Sequence, residues 1–149
     1  DCQMNVLGID SAVKGIAAVE LPSSKYFWLP KEKTFDETLV RFHQWCQQFI
    51  PDAVYLEDVT YVRNYAATLK MAKIVGAVQV AFLENKLAVF TVNNMIWKRA
   101  VIGDGKATKE DIINFVKASE YFSIPDKDLT DDIADAACLS LFGYLRMHK

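Results

Sequence analysis

Two short apolar runs, Val6–Asp10 and Ala53–Glu57, each admit a charge only at their last position. Short apolar runs that end in an acid read as strands. Gly15–Leu21 and Lys25–Leu29 (with Tyr26, Phe27 and Trp28) are two further β-type runs close behind the first. Their short polar breaks predict an antiparallel meander. Asp36–Phe49 carries Leu39, Phe42, Trp45, Cys46 and Phe49 on one stripe and predicts an amphipathic helix. Further along, a long helix is expected from Tyr65 to about Asn85 and a fifth strand over Ala88–Val92. Helices are then expected near Asn94–Val101, Thr108–Phe122 and Asp131–Met147, the second opened by Thr108 as an N-cap. Strands first, then β–α alternation, predict the α/β class: one five-stranded mixed sheet flanked by helices. The 149 residues show neither repeat nor linker and are expected to form a single domain, 1–149.

With 17 basic and 19 acidic residues, the net charge of −2 gives no bulk attraction for nucleic acid, so any such contact must come from local clusters. Cys2, Cys46 and Cys138 are odd in number and far apart, which suits a reduced compartment. No apolar run reaches the length of a bilayer span and Val6–Ile9 is too short for a secretory signal. A cytoplasmic protein without membrane association is expected, with Met4 as its natural start.

The chemistry lies in the acids. If the strands ending at Asp10 and Glu57 are neighbours, their carboxylates face each other across about 4.8 Å, at the sheet edge where α/β proteins bind ligands. Position at a strand end alone suits a solvating role equally well. Asp132 and Asp135 add a second signal, being three apart on one helix face that turns apolar at Leu139 and Phe142. Thr130 and Asp131 are explained by capping and the helix dipole, and Asp132 in part; Asp135 is not. Four converging carboxylates repel one another. Hard divalent cations relieve that repulsion, so Mg²⁺, or Mn²⁺ in its place, is expected at Asp10, Glu57, Asp132 and Asp135, as two ions of a phosphodiester-cleaving site.

His43 and Cys46 offer little to zinc, because Cys46 belongs to an apolar stripe. Gly103-Asp104-Gly105-Lys106 lacks the first glycine of a phosphate loop, and no nucleophile motif is present. Lys70, Lys73, Lys98, Arg99, Lys106 and Lys109 interleave with Tyr61, Tyr65 and Trp97. They are expected to form a phosphate-tracking rim with stacking side chains. The long helix is apolar nearly all round, through Leu69, Met71, Ile74, Val75, Val78, Val80 and Phe82. Its surplus apolar surface predicts a homodimer.

Leu7-Gly8-Ile9-Asp10, Val54–Val59, Leu69-Lys70 with Gly76, Val101–Gly105 and Asp132–Ala137 stand in the order found in RuvC-type Holliday junction resolvases. The chain resembles that family from Val6 to about Leu145. The resemblance implies an RNase H-like fold and Mg²⁺-dependent cleavage of four-way DNA junctions by a dimer. It also implies Asp10, Glu57, Asp132 and Asp135 as the catalytic and metal-binding acids. Lys98 and Lys109 match basic DNA-contacting positions, and the loop with Tyr61 and Arg63 matches the segment whose aromatic wedges the junction. The family's usual Pro-Gly after the first acid is Ser11-Ala12 here. A branch-migration motor is a possible partner, and the sequence does not identify it. Two alternatives remain: another RNase H-like nuclease acting on flaps or branched DNA, and a non-cleaving branched-DNA binder.

Overall fold

The computed structural model describes residues 3–61 and 63–148. Its strands are β1 (Val6–Ala12), β2 (Gly15–Leu21), β3 (Lys25–Pro30), β4 (Ala53–Glu57) and β5 (Ala88–Val92). They form one sheet in the order β3-β2-β1-β4-β5. The first three strands pair antiparallel, and β1–β4 and β4–β5 pair parallel. The helices are α1 (Phe35–Cys46), α2 (Tyr65–Glu84), α3 (Asn94–Val101), α4 (Lys109–Ala118) and α5 (Asp131–Met147). This is the mixed, helix-flanked sheet that the pattern of runs predicts. All five helices are opened by a Thr or Asn whose side chain accepts a backbone N–H of the first turn.

Strand alternation sorts the side chains into two cores. Leu7, Ile9, Val54 and Leu56 face α1 and α2, where they meet Phe42, Ile74, Val78 and Phe82. Val6, Ala17, Ala53 and Tyr55 face α5, with Trp97 of α3 and Val116 of α4 completing that side. Gly8 and Asp10 lie on this same face of β1. A Cβ on Gly8 would overlap the Ala136 carbonyl and the Ser140 amide, and one on Gly143 would overlap the Tyr55 ring. The missing side chains therefore let α5 lie on the sheet nearly backbone to backbone, fastened by a Ser140 hydroxyl that donates to the Val6 carbonyl at 2.9 Å.

Some boundaries differ from expectation. α1 stops at Cys46, yet Phe49 still packs edge-on against Phe27 and Trp45 from the following loop. α4 stops at Ala118, while Phe122 reaches the core from an irregular segment. β1 runs straight through Ser11 and Ala12, which pair with Ile16 and Gly15. The positive φ values among the described residues fall only at Ser24, Lys86 and Gly103. The turn after the first acid therefore needs no glycine. The expectation that no segment has the length of a bilayer span is corrected by α2: by length and composition it qualifies. In the fold, however, its Ile74, Val75, Val78, Ala81 and Phe82 are buried in the α1-side core.

Candidate active site

Ile9 pairs with Leu56 in the parallel ladder, so Asp10 and Glu57 follow side by side at the same end of adjacent strands. α5 crosses that end with its first two turns. As a result, one carboxylate oxygen each from Asp10, Glu57 and Asp135 lie within 4.8 Å of one another. Asp10 is the most enclosed of these acids, 7% exposed. Burial raises its pKa well above the ordinary range, and the charges of Glu57, Asp135 and Asp132 push the same way.

Glu57 is raised chiefly by burial, although the Trp97 indole N–H, donating to its Oε1 at 2.8 Å, and the nearby Lys98 charge favour its ionised form. Asp135 is pushed up to about 7, first by burial and then by Glu57, with Lys98 opposing. The expected fourth member stands slightly apart. Asp132 makes an ion pair with Lys14 of the β1–β2 turn at 2.9 Å, and its side chain is 17% exposed. Asp131 is more open, 43%, and pairs with Lys109 at 3.5 Å. The helix thus turns Asp132 inward and leaves Asp131 at the rim.

The donor set is entirely carboxylate oxygen, partly buried and mutually repelling. Among the described residues, the Lys14–Asp132 pair is the one ion pair made by any of the four acids. Such a set fits a hard divalent cation, whose charge offsets both desolvation and repulsion. It offers neither sulfur nor imidazole to a softer metal.

The cationic and aromatic residues divide. Lys98 is close enough for its charge to act on Glu57 and Asp135. Lys109 stands at the α5 N-terminus through Asp131, and Lys106 is exposed in the α3–α4 loop. Tyr61, 70% exposed, and Arg63 lie in the loop that leaves the Glu57 strand. Lys70 sits over the Phe35 ring, 5.6 Å from its centroid, and Lys73 is exposed on α2. Trp97 corrects the expectation of a stacking side chain. It is fully buried, and its role in the site is to hold Glu57. Sequence patterning missed this because an indole needed for its N–H and one needed for its area look alike in a helix. It also missed Lys14, a lone lysine in a two-residue turn whose partner lies 118 positions away by numbering.

A family profile described as "Crossover junction endodeoxyribonuclease RuvC" matches residues 30–142. The chain belongs to the RuvC family. It is similar to the crossover junction endodeoxyribonuclease RuvC of Trichlorobacter lovleyi, 34% identical, with 91% of this chain and 84% of that one covered. It is also similar to that of Geotalea uraniireducens, 28% identical, with 91% and 87% covered. The fold matches the structure of Thermus thermophilus RuvC in complex with a Holliday junction substrate, with TM-score 0.80, 24% identity, and 97% and 96% of the two chains covered. A second Thermus thermophilus RuvC structure matches with TM-score 0.71 at 25% identity, covering 97% of each chain. The RNase H-like fold implied by the sequence motifs is therefore the fold of this RuvC member.

Proposed function

We propose that this RuvC protein is a divalent-metal-dependent endonuclease that resolves four-way DNA junctions by paired nicks, acting as a homodimer in the cytoplasm. The observation that carries the reading is the enclosed cluster of Asp10, Glu57 and Asp135, all within 4.8 Å and all oxygen donors. Asp10, Glu57, Asp135 and Asp132 would hold two Mg²⁺ or Mn²⁺ ions. When bound, these supply charge stabilisation to the phosphodiester and lower the pKa of water.

The chain's own residues prepare the site. Burial keeps bulk water from screening the acids. The Trp97 N–H holds the Glu57 carboxylate in place through its Oε1. Lys98 places a positive charge beside acids that must otherwise repel a DNA phosphate. Lys106, Lys109 and Arg63, with Lys70 and Lys73 further along α2, extend a local basic rim, and Tyr61 offers an exposed ring for stacking at the crossover.

Dimerisation is supported by α2. Tyr65, Leu69, Val80 and Leu83 are 72%, 42%, 47% and 49% exposed on the side opposite its buried residues. Gly76 lies in the same stripe, and a Cβ there would meet open space. A two-fold pair of such helices presents two identical acid clusters to two equivalent phosphodiesters. The family relatives' names and the junction bound in the Thermus thermophilus complex support the choice of a four-way junction as substrate.

The test compares a synthetic four-way junction with flap, hybrid and plain duplex substrates, in Mg²⁺, in Mn²⁺ and in chelator. The expected result is metal-dependent cutting of the junction, with symmetric nicks bearing 5′-phosphate and 3′-hydroxyl ends. Equal cutting of flaps returns the general branched-DNA nuclease. Tight binding with no cutting in any metal returns the non-cleaving binder.

A further inference from the structure

The row of side chains that contains the acids continues across the antiparallel half of the sheet. Asp10 pairs with Ala17, and Ala17 pairs with Trp28. Strand spacing places Trp28 about 10 Å from Asp10 on the same face. A cavity of about 600 Å³ opens beside Trp28, bounded also by Tyr26, Lys14, Lys127 and Asp132, the last being one of the four acids in the candidate site. Its volume is that of a small-molecule site.

Trp28 is built as a platform. A Cβ on Gly15 would come within 2.6 Å of its ring, so the indole lies directly over the glycine backbone. The residue is left 43% exposed on an edge strand. Nothing in the apolar core accounts for a tryptophan held flat and open in this way.

Three acids and two lysines line the cavity, and each acid has a partner, a lysine for two of them and a neutral hydroxyl for the third. Asp128 accepts the Tyr26 hydroxyl at 2.6 Å, Asp132 is paired with Lys14, and Asp131 with Lys109. Lys127 is exposed and has no partner among the described residues. Lys14 keeps a side chain 65% exposed while holding Asp132. An aromatic face with cations on its rim is complementary to a nucleotide, whose base stacks and whose phosphate is anionic.

We infer that this cavity receives a nucleotide of the DNA strand being cut, its base on Trp28 and its backbone phosphate on Lys127 and Lys14. The contact falls within a few nucleotides of the phosphate at the acids. It lies on the β3 side, opposite the rim formed by Lys98, Lys106 and Tyr61. The inference rests on the proposed junction-cutting function, since it places the cut strand across both features.

The experiment measures junction binding by fluorescence anisotropy in chelator, where no cutting occurs, for wild type, Trp28→Ala, Trp28→Phe and Lys127→Ala. Sedimentation of each protein accompanies the binding. Trp28→Ala is expected to weaken binding about 5- to 100-fold, Trp28→Phe to restore most of it, and Lys127→Ala to cost less and to flatten the salt dependence. A scan of abasic positions along the cut strand should find one position where loss of the base weakens wild type but leaves Trp28→Ala unchanged.

Wild-type affinity in Trp28→Ala overturns the inference, as does a deficit that adds to the effect of every abasic position. A deficit that tracks loss of dimer in sedimentation overturns it too, because the cavity would then hold a second copy of this chain. The junction function fails separately, by wild type neither preferring nor cutting four-way junctions. In that event the same variants titrated with a single-stranded oligonucleotide decide the cavity, and equal affinities there overturn it.

Discussion

Helices α2 and α5 are both long and largely apolar, yet they meet the sheet in opposite ways. Ten of α5's 17 residues are buried, against five of α2's 20. α5 achieves this with small residues: Ala136 and Ser140 lie against Gly8 of β1, which yields its side chain to them, and Gly143 lies against Tyr55 of β4. α2 instead uses bulky residues on one side and leaves Leu69, Val80 and Leu83 outside. Close approach fixes position to within a fraction of an ångström, because interiors are packed without slack. α5 is therefore the element that can carry two acids to a site built from β1 and β4. α2 carries a surface instead. The contrast separates the parts of the molecule that hold the chemistry from the part proposed to bring in the second copy.

The largest effect should come from the acids that α5 and the strands bring together. Asp10→Asn or Glu57→Gln is expected to lower the cleavage rate about 10³-fold, from lost transition-state stabilisation of several kcal/mol, with junction binding kept or tightened. Asp131→Asn, at the open rim, should leave most of the rate. Gel assays of cleavage and binding on the same preparations check this, and near wild-type cutting by Asp10→Asn would break the assignment.

Next in size is the seat of α5. Gly8→Ala forces a methyl into the Ala136 carbonyl and the Ser140 amide, and should cost about 3 kcal/mol in denaturant unfolding. Its activity should fall further than its stability, since Asp132 and Asp135 move with the helix. On α2 the same measurements should diverge in the other direction. Leu83→Lys with Leu69→Lys is expected to weaken self-association at least tenfold by sedimentation and to leave monomer unfolding within about 0.5 kcal/mol. A large loss of monomer stability there would show that the stripe is core after all.

The smallest effect is one of pH. Asp10 and Glu57 are raised, and Asp135 reaches about 7. The native protein therefore keeps protons that the unfolded chain has already released at ordinary carboxylate pKa values. Stability is fully present below that range and is lost as pH rises through the raised values. Metal-free protein should accordingly show a Tm that falls from about pH 4 to about pH 7.5. Asp135→Asn should flatten the fall, and Mg²⁺ should remove it. A metal-free Tm that rises over the same interval contradicts the crowding of the acids.

The sheet and every helix were legible because hydrophobic runs changed period from two to 3.6 and the caps were spelled out. Asn94–Val101 and Asp131–Met147 are helices over the very residues their patterns mark. Where the reading overran, at Phe49 and Phe122, an apolar residue in helical phase packs from a loop; phase reports burial, not backbone. At the site, the two strand-terminal acids and the i, i+3 pair on α5 could be found by position alone. Trp97, Lys14 and Trp28 could not. Trp97 acts on Glu57 and Lys14 on Asp132, partners distant in sequence, and the contact of Trp28 with Gly15 depends on strand register; no local pattern encodes such pairings.

The most direct test of the account is cleavage of a supercoiled plasmid carrying an extruded cruciform, with Mg²⁺ present, followed over time for wild type and for the α2 double variant. Two coordinated acid clusters nick both strands within one encounter, so wild type should convert supercoiled plasmid to linear product without accumulating nicked circles. The α2 variant should accumulate nicked circles instead. Nicked circles as the main wild-type product, or linear product unchanged when α2 is altered, would contradict the claim that α5 builds the site and α2 pairs it.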